Sequence, residues 1–130
     1  MTRKPYGRSV VMGILAGTLY GLWAVHANRG HDVAHVARAA SAQFLLSSCA
    51  TALLTLLIEV ILARGRTIPN LVFAATGPHA GMVTLFLAVH LLSGTPHVLA
   101  TIAPSAAIGL VFSMVYVRKR AACDSPCASA

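Results

Sequence analysis

The sequence predicts an all-α integral membrane protein, a bundle of four transmembrane helices with both termini in the cytoplasm. Of its 130 residues, 57% are hydrophobic and only 10% are charged, whereas a soluble domain carries roughly a quarter charged residues. The charged residues form short clusters between long uncharged stretches. We therefore expect lipid, and not water, to surround most of the chain.

Four apolar segments are long enough to cross a bilayer, which takes about 20 helical residues because backbone polar groups cannot stay unpaired in hydrocarbon. The segments cover approximately residues 9–26, 39–63, 69–92 and 97–117. Together they define one membrane domain over residues 1–120.

The breaks between these segments contain the residues that are typical of turns and helix starts. Thr67 followed by Pro69 suits the first turn of a helix. After the fourth segment, residues 121–130 are rich in small residues and are predicted to form a disordered cytoplasmic tail. The turn-forming stretches are residues 28–32, 64–67 and 93–96.

Basic residues indicate the orientation, because cytoplasmic loops retain Lys and Arg while translocated loops are depleted in them. Only Arg29 and Arg38 lie on the connection between the first and second segments, on the side that the other basic residues avoid. Such a bias fits an even number of crossings, predicts that both termini are cytoplasmic, and argues against dual insertion. The expected location is the cell inner membrane. The other eight of the ten basic residues lie on alternate connections: Arg3, Lys4, Arg8, Arg64, Arg66, Arg118, Lys119 and Arg120.

The first segment has a second interpretation, as a signal peptide cleaved after Ala27 in Val-His-Ala. Its apolar stretch is longer than the roughly 7–15 residues of signal-peptide cores. It also carries Gly13, Gly17 and Gly21 at four-residue spacing, which places all three near one helix face. Because glycine lets another backbone approach closely, we expect this face to be a helix-packing surface.

The second segment carries a polar residue at every fourth position. On a helix with about 100° per residue, such a stripe drifts by roughly 40° per step. Polar side chains inside a membrane must face protein or water, so we expect the stripe to face the bundle interior. Hydrogen bonding between helices explains it without any transport role. The stripe consists of Gln43, Ser47, Thr51, Thr55 and Glu59.

Three ionisable residues suggest a pathway for protons. Glu59 is the single acidic residue within a segment, and such a group suggests a functional site, although an ion pair with Arg64 or Arg66 is the alternative. His79 and His90 share one face of the third segment at different depths. A line through Glu59, His79 and His90 is the candidate pathway. A neutral His79 bonded to a hydroxyl or a carbonyl is the competing interpretation.

Prolines interrupt the third and fourth segments at Pro78 and Pro104. Each proline frees the backbone carbonyl four residues earlier, and a kink is expected there. Broken helices can form a binding site at the bilayer midplane. If these two segments are neighbours, His79, Thr101 and Ser105 are well placed to line such a site.

Five of the six histidines map to the side opposite the basic clusters, or close to it. His31 and His35 have the i,i+4 spacing that puts two imidazoles on one helix face, with Asp32 beside them. Because interfacial polar residues often have this spacing too, the sequence predicts no metal, with His31 and His35 as weak candidates. It also predicts no cofactor, since no histidine lies opposite His79 to complete a haem site.

Three functional hypotheses follow. The first is a structural or accessory subunit that associates with itself or with another membrane protein through the glycine face. The second is a small transporter or proton-coupled permease. The third is metal binding through the histidines on the outer side. The candidate pathway of the second hypothesis comprises Glu59, His79, His90, Thr51 and Ser105.

Other functional classes are not expected. The segments outside the membrane are short, and no nucleophile, base and orienting group come together, so the sequence predicts no enzyme. The basic residues flank apolar segments and are not interleaved with aromatic residues, so it predicts no nucleic-acid binding. The lipid bilayer is the expected partner.

Overall fold

The computed structural model describes the backbone of residues 5–123 and the side chains of residues 13–122. Within that range the chain is all-helical, as the apolar segments predict. The helices are α1 (Pro5–Ala27), α2 (Val33–Leu62), α3 (Ile68–Leu92) and α4 (Val98–Cys123).

The four helices form a bundle in which each helix contacts its two neighbours and α2 also contacts α4 across the middle. In the described part of the chain α1 and α3 each pack against α2 and α4, and they do not touch each other. The connections α1–α2 and α3–α4 meet at one end, where His31 contacts His97. We call this the paired-loop end. At the opposite, terminal end, Arg66 in the α2–α3 connection donates a hydrogen bond to the carbonyl of Arg120 on α4.

Three helical stretches are long and apolar enough to cross a membrane: Val33–Leu62, Ile68–Leu92 and Val98–Ala122. In α1 the apolar stretch from Gly13 to Ala27 is shorter. These findings support a membrane bundle. They agree with the apolar composition, since a helix that is hydrophobic around its whole circumference is stable in lipid.

The outward faces of the helices are apolar, and the interior is only partly so. Large apolar side chains on the surface are up to 89% exposed, which is unfavourable in water and neutral in hydrocarbon. The main buried apolar cluster joins α2, α3 and α4 toward the terminal end. It contains Leu54, Ile58, Leu62, Ala74 and Val117.

Helix α2 begins at Val33, six residues before the predicted start at residue 39. The reason is local, because Asp32 caps the helix by accepting a hydrogen bond from the backbone N–H of Ala34 at 3.0 Å. Arg38 therefore lies in the second turn of a helix and not in a loop. The apolar composition indicates where the membrane-embedded part of the chain begins, whereas the capping residue determines where the helix begins.

The ends of α1 and α4 also extend beyond the predicted segments. Helix α1 begins at Pro5, ahead of residue 9, and α4 continues through residues 118–123. Residues 121–123 are therefore helical, in contrast to the predicted disorder of the tail. Arg, Lys and Ala are good helix formers, so the helix has no reason to stop where the apolar residues stop. Residues 124–130 lie outside the described part of the chain, as do Arg3 and Lys4.

The connections are short and fixed by a few hydrogen bonds. Gly30 (φ 95°) and Gly94 (φ 68°) take left-handed backbone conformations in the two connections at the paired-loop end. Asn70, in the first turn of α3, donates side-chain hydrogen bonds to the carbonyls of Ile61 at the end of α2 and Gly65 in the α2–α3 connection. Helix α3 starts directly after Thr67, with Pro69 in its first turn.

Candidate functional site

The three glycines of α1 lie against α2 of the same chain. A Cβ atom on Gly17 would come within 2.1 Å of Ser48 Oγ and 2.7 Å of the Phe44 carbonyl oxygen. On Gly13 it would lie 2.8 Å from the Ser48 carbonyl oxygen, and on Gly21 it would lie 3.4 Å from Phe44 Cβ. The glycines therefore allow α1 and α2 to approach closely, and their face is covered within the monomer.

A cavity of about 180 Å³ lies between the four helices, and we call it the chamber. Each helix contributes lining residues. Most of the lining is apolar, with Leu54, Phe86, Ile102 and Phe112 among the larger side chains. A cavity of about 150 Å³ is large enough for a molecule the size of benzene. The polar side chains of the lining are Tyr20, Ser47, Thr51, His79 and Ser105.

His79 is the chamber residue with two ring nitrogens that can form hydrogen bonds. Its imidazole lies against α4 at Gly109, where an added Cβ would be 3.2 Å from the ring atoms Cε1 and Nδ1. A Cβ at this position would press on the ring, so Gly109 lets the His79 imidazole lie close to the backbone of α4. Among the side chains of residues 13–122, none forms a hydrogen bond with His79, so its nitrogens are available to a molecule in the chamber.

A hydrogen-bonded network closes the chamber toward the paired-loop end. Gln43 donates through Nε2 to Ser47 Oγ at 3.2 Å and to Ser105 Oγ at 3.0 Å. Its Oε1 lies 2.7 Å from His90 Nε2, and His90 Nδ1 lies 2.9 Å from Thr95 Oγ1. Gln43 and His90 are both fully buried. We call these five residues the glutamine–histidine network.

The network specifies the protonation of His90. Because the Gln43 oxygen can only accept, His90 Nε2 must carry the hydrogen, and Nδ1 then accepts from the hydroxyl of Thr95. The Gln43 amide nitrogen supplies both of its hydrogens to serine hydroxyls. Every polar atom of the two buried side chains is thus paired, which matches a neutral histidine in a structural role.

The polar stripe of α2 turns away from the interior along its length. Gln43 and Ser47 are buried, whereas Thr51 is exposed and the Thr55 hydroxyl donates back to the carbonyl of Thr51 at 2.7 Å. The expectation that the whole stripe faces inward therefore holds for Gln43 and Ser47 and only partly for Thr51, which lines the chamber but is exposed. The drift of roughly 40° per step carries the later positions around the helix.

Glu59 lies at the terminal end and bonds to α4. Arg120 donates to its two carboxylate oxygens at 2.8 and 3.0 Å, and the Tyr116 hydroxyl donates at 2.6 Å. Sequence reasoning expected Arg64 or Arg66 as partners because they are near in the chain. The extension of α4 beyond the predicted boundary brings Arg120 into direct contact with Glu59, and the charge of Arg66 acts on the same carboxylate. We call Glu59, Tyr116 and Arg120 the ion-pair cluster.

The predicted line from Glu59 through His79 to His90 is not joined by hydrogen bonds. Glu59 bonds within the ion-pair cluster, His90 bonds within the glutamine–histidine network, and His79 lies in the chamber between them. Of the candidate pathway residues, Thr51, His79 and Ser105 line the same cavity. Thr101, also expected near it, is buried nearer the paired-loop end and bonds to Asn28 at 2.7 Å.

Asn28 is a buried residue at the paired-loop end whose importance the sequence did not reveal. Its side-chain nitrogen donates to the Ala24 carbonyl at 2.8 Å and to Thr101 Oγ1, and its Oδ1 accepts from the backbone N–H of His97 at 2.9 Å. It therefore fixes the start of α4 to the end of α1. Composition alone placed Asn28 in a loop, where asparagine usually forms turns.

The backbone carbonyl that the proline of α4 leaves free has a hydrogen-bond donor on α1. The indole N–H of Trp23 donates to the carbonyl of Ala100 at 2.9 Å, and this carbonyl is the one that Pro104 leaves without an intrahelical bond. A proline four residues after Ala100 and a tryptophan on another helix were the only signals in the sequence.

The histidines of the paired-loop end pair differently from the i,i+4 expectation. His31 Nε2 lies 3.1 Å from His97 Nε2, and the two rings meet edge to face with centroids 4.9 Å apart. His35 instead lies near Asp32, at 3.6 Å. Within the described residues no group of three potential metal ligands forms. The tertiary contact therefore joins His31 to His97 and not to the other weak candidate, His35.

No family model matches the chain, and no curated protein or solved structure shows significant similarity to it.

Proposed function

We propose that this chain is a small permease of the inner membrane whose chamber binds a compact, mostly apolar solute that carries a hydrogen-bonding group. The observation that carries the proposal is the cavity between all four helices, in which His79 has no partner among the described side chains. A pocket with an apolar lining and a few polar groups is the usual form of a small-molecule site.

The proposal includes four crossings with both termini in the cytoplasm. The positions of the basic residues support it, because the α2–α3 connection and the end of α4 are adjacent and carry five of the ten Lys and Arg residues. The terminal end then faces the cytoplasm and the paired-loop end faces outward. Helix α1, 23 residues long in total, is the first crossing.

The arrangement of clusters supports a state of such a permease in which the chamber is closed toward both ends of the bundle, while Thr51 and Ile108 of its lining are exposed at the side. The glutamine–histidine network lies on one side of the chamber, and the apolar cluster around Ile58 lies between the chamber and the ion-pair cluster. Transport would require each barrier to open in turn. Pro78 and Pro104, next to His79 and Ser105, mark where α3 and α4 bend most easily.

We place the structural or accessory subunit second. That hypothesis depended on a glycine face free to bind another protein, and the glycine face packs against α2 of the same chain. Catalysis is not part of the proposal, since among the described residues the chamber brings His79 together with hydroxyls but with no group that orients or activates it.

The two candidate functions differ in whether water reaches the chamber. Ala106 lines the chamber, whereas the next residue, Ala107, is exposed on the surface at almost the same depth. In a background with Cys49, Cys123 and Cys127 replaced by Ser, we expect Ala106→Cys to react with a charged, membrane-impermeant thiosulfonate far faster than Ala107→Cys, because a thiolate forms in water and not in lipid.

The measurement is the rate of labelling in liposomes, with reagent added to either side. Protection of Ala106→Cys by phenol, benzoate or aniline would then indicate whether the preferred solute is neutral, acidic or basic. Equal and slow labelling of both variants from both sides would contradict a permease and favour a structural subunit.

A further inference from the structure

The contact between His31 and His97 joins the two connections of the paired-loop end. Both imidazoles are exposed, and their Nε2 atoms are 3.1 Å apart. His31 belongs to the α1–α2 connection, and His97 immediately precedes α4. The residues are 66 positions apart in the chain, so their approach is a product of the fold.

The separation of the two nitrogens suits two ligands of one metal ion. With metal–nitrogen distances of about 2.0–2.1 Å, adjacent ligands at square-planar to tetrahedral angles lie about 2.8–3.4 Å apart. The observed 3.1 Å falls in this range. The same distance also suits a single N–H···N hydrogen bond between the two rings.

Both imidazoles extend from backbone that Asn28 holds in place. Asn28 is fully buried, and its Oδ1 accepts from the backbone N–H of His97 while its carbonyl accepts from the backbone N–H of His31 at 3.4 Å. Bonds from Asn28 to Thr101 and Ala24 fix the asparagine itself. A site whose ligands are already positioned loses less conformational freedom when an ion binds.

We propose that His31 and His97 form a two-histidine site for a divalent transition metal ion, with Cu²⁺ or Zn²⁺ as the fitting ions. Imidazole nitrogen prefers these metals, and Cu²⁺ binds most tightly of the first-row divalent ions. Within the described residues no third His, Cys, Asp or Glu joins the pair. Water completes the coordination sphere, so the site is open and its occupancy reversible.

An ion bound there links the α1–α2 connection to the start of α4. It therefore holds the paired-loop end closed above the glutamine–histidine network. The site does not depend on the chamber having a ligand, and it stands or fails separately from the proposed transport.

Copper binding can be followed through Trp23, which is the only tryptophan of the chain. Its indole contacts the carbonyl of Ala100, three residues after His97, and Cu²⁺ quenches a nearby indole. We expect titration of the tag-free, cysteine-free protein in detergent with Cu²⁺ to quench Trp23 at one ion per chain. The electron paramagnetic resonance spectrum should show coupling to two imidazole nitrogens, and Zn²⁺ should compete.

The matched variants are His31→Gln, His97→Gln and His35→Gln. Loss of either ligand should weaken binding about tenfold or more, whereas His35→Gln should bind as the parent does, since His35 lies beside Asp32 and outside the pair. Circular dichroism checks that each variant remains helical. Failure of the parent to bind Cu²⁺ or Zn²⁺ at micromolar concentration, or equal binding by His97→Gln and His35→Gln, would show that the pair is a hydrogen bond only.

Discussion

Two histidines of α3 illustrate how the same residue type takes different roles within one helix. His90 is fully buried and has partners for both ring nitrogens, in Gln43 and Thr95. His79 lies in the chamber without a partner among the described side chains. The first is therefore part of the scaffold, and the second is the group with capacity left for a ligand.

This difference predicts unequal effects of replacing each histidine by leucine. His90→Leu leaves the Gln43 oxygen and the Thr95 hydroxyl unpaired in an apolar environment, which should cost about 1–3 kcal/mol of unfolding free energy. His79→Leu breaks no hydrogen bond within the described residues and should cost less, under about 1 kcal/mol, because only the packing against Gly109 changes. Unfolding in mixed micelles at increasing SDS measures both, and equal losses would contradict the assignment.

At the scale of helices, glycines decide how closely α1 approaches α2. The backbone of Gly17 leaves no room for a Cβ beside Phe44 and Ser48, whereas Gly81 on α3 has no atom within 4 Å of the position that its Cβ would take. Both residues are inside helices, so the two sites share the same backbone preference and differ in packing.

Replacing each glycine by alanine therefore separates the steric cost of a Cβ from the higher helix propensity of alanine. Gly17→Ala should lower the unfolding free energy by about 1–3 kcal/mol, because a backbone carbonyl must move. Gly81→Ala should be neutral or stabilise by up to about 1 kcal/mol, since alanine favours the helix. The SDS midpoint of the monomer is the readout. A stable Gly17→Ala monomer would refute the tight α1–α2 contact.

The proline-containing part of α4 is tied to α1 through the bond from Trp23 to the Ala100 carbonyl. Trp23→Phe should destabilise the protein by about 0.5–1.5 kcal/mol while Pro104 is present. In Pro104→Ala the new backbone N–H at position 104 can satisfy the same carbonyl, so Trp23→Phe should then cost less. A double-mutant cycle measures this coupling, and strictly additive effects would mean that the tryptophan contributes by packing alone.

For the whole molecule, polar clusters occupy both ends and an apolar chamber lies between them. The paired-loop end has Asn28 and the histidine pair, and the terminal end has the ion-pair cluster. Hydrogen bonds in the interior link helices that are distant in sequence, and no buried side-chain polar atom in the described part is left unpaired. These polar contacts hold the helices together, because apolar contacts between helices are little more favourable than contacts with lipid.

The proposed orientation predicts which surfaces are accessible in cells. In the cysteine-free background, Arg29→Cys should react with an impermeant maleimide in intact spheroplasts, because the paired-loop end faces outward. Thr67→Cys in the α2–α3 connection should react only after the membrane is opened. Both positions are exposed. Labelling of both from the same side would rule out the four-crossing arrangement with cytoplasmic termini.

Much of the architecture could be predicted from the sequence because helices and their solvent are specified locally. The length of each apolar stretch predicts a helix, and turn residues separate one helix from the next. The predicted helix boundaries were wrong where local signals other than composition act. Asp32 caps α2 earlier than expected, and the good helix formers after Val117 extend α4 further.

The contents of the candidate site were predictable only in part. Spacing along one helix indicates which residues share a face, so Thr51 and His79 were plausible members of an interior site. It does not indicate which residue on another helix they meet. The pairing of His90 with Gln43 spans 47 residues and that of Glu59 with Arg120 spans 61, and periodicity carries no information at that range.

The sequence by itself determined that the chain is helical and apolar enough for a membrane, since those properties depend on composition and on neighbours within a few residues. Only the tertiary structure decided that the glycines serve α1 and α2 of one chain, that His79 lies in a chamber without a partner among the described side chains, and that His31 meets His97. These contacts depend on how helices rotate and approach one another, which is settled by packing and by pairing of buried polar groups across the bundle.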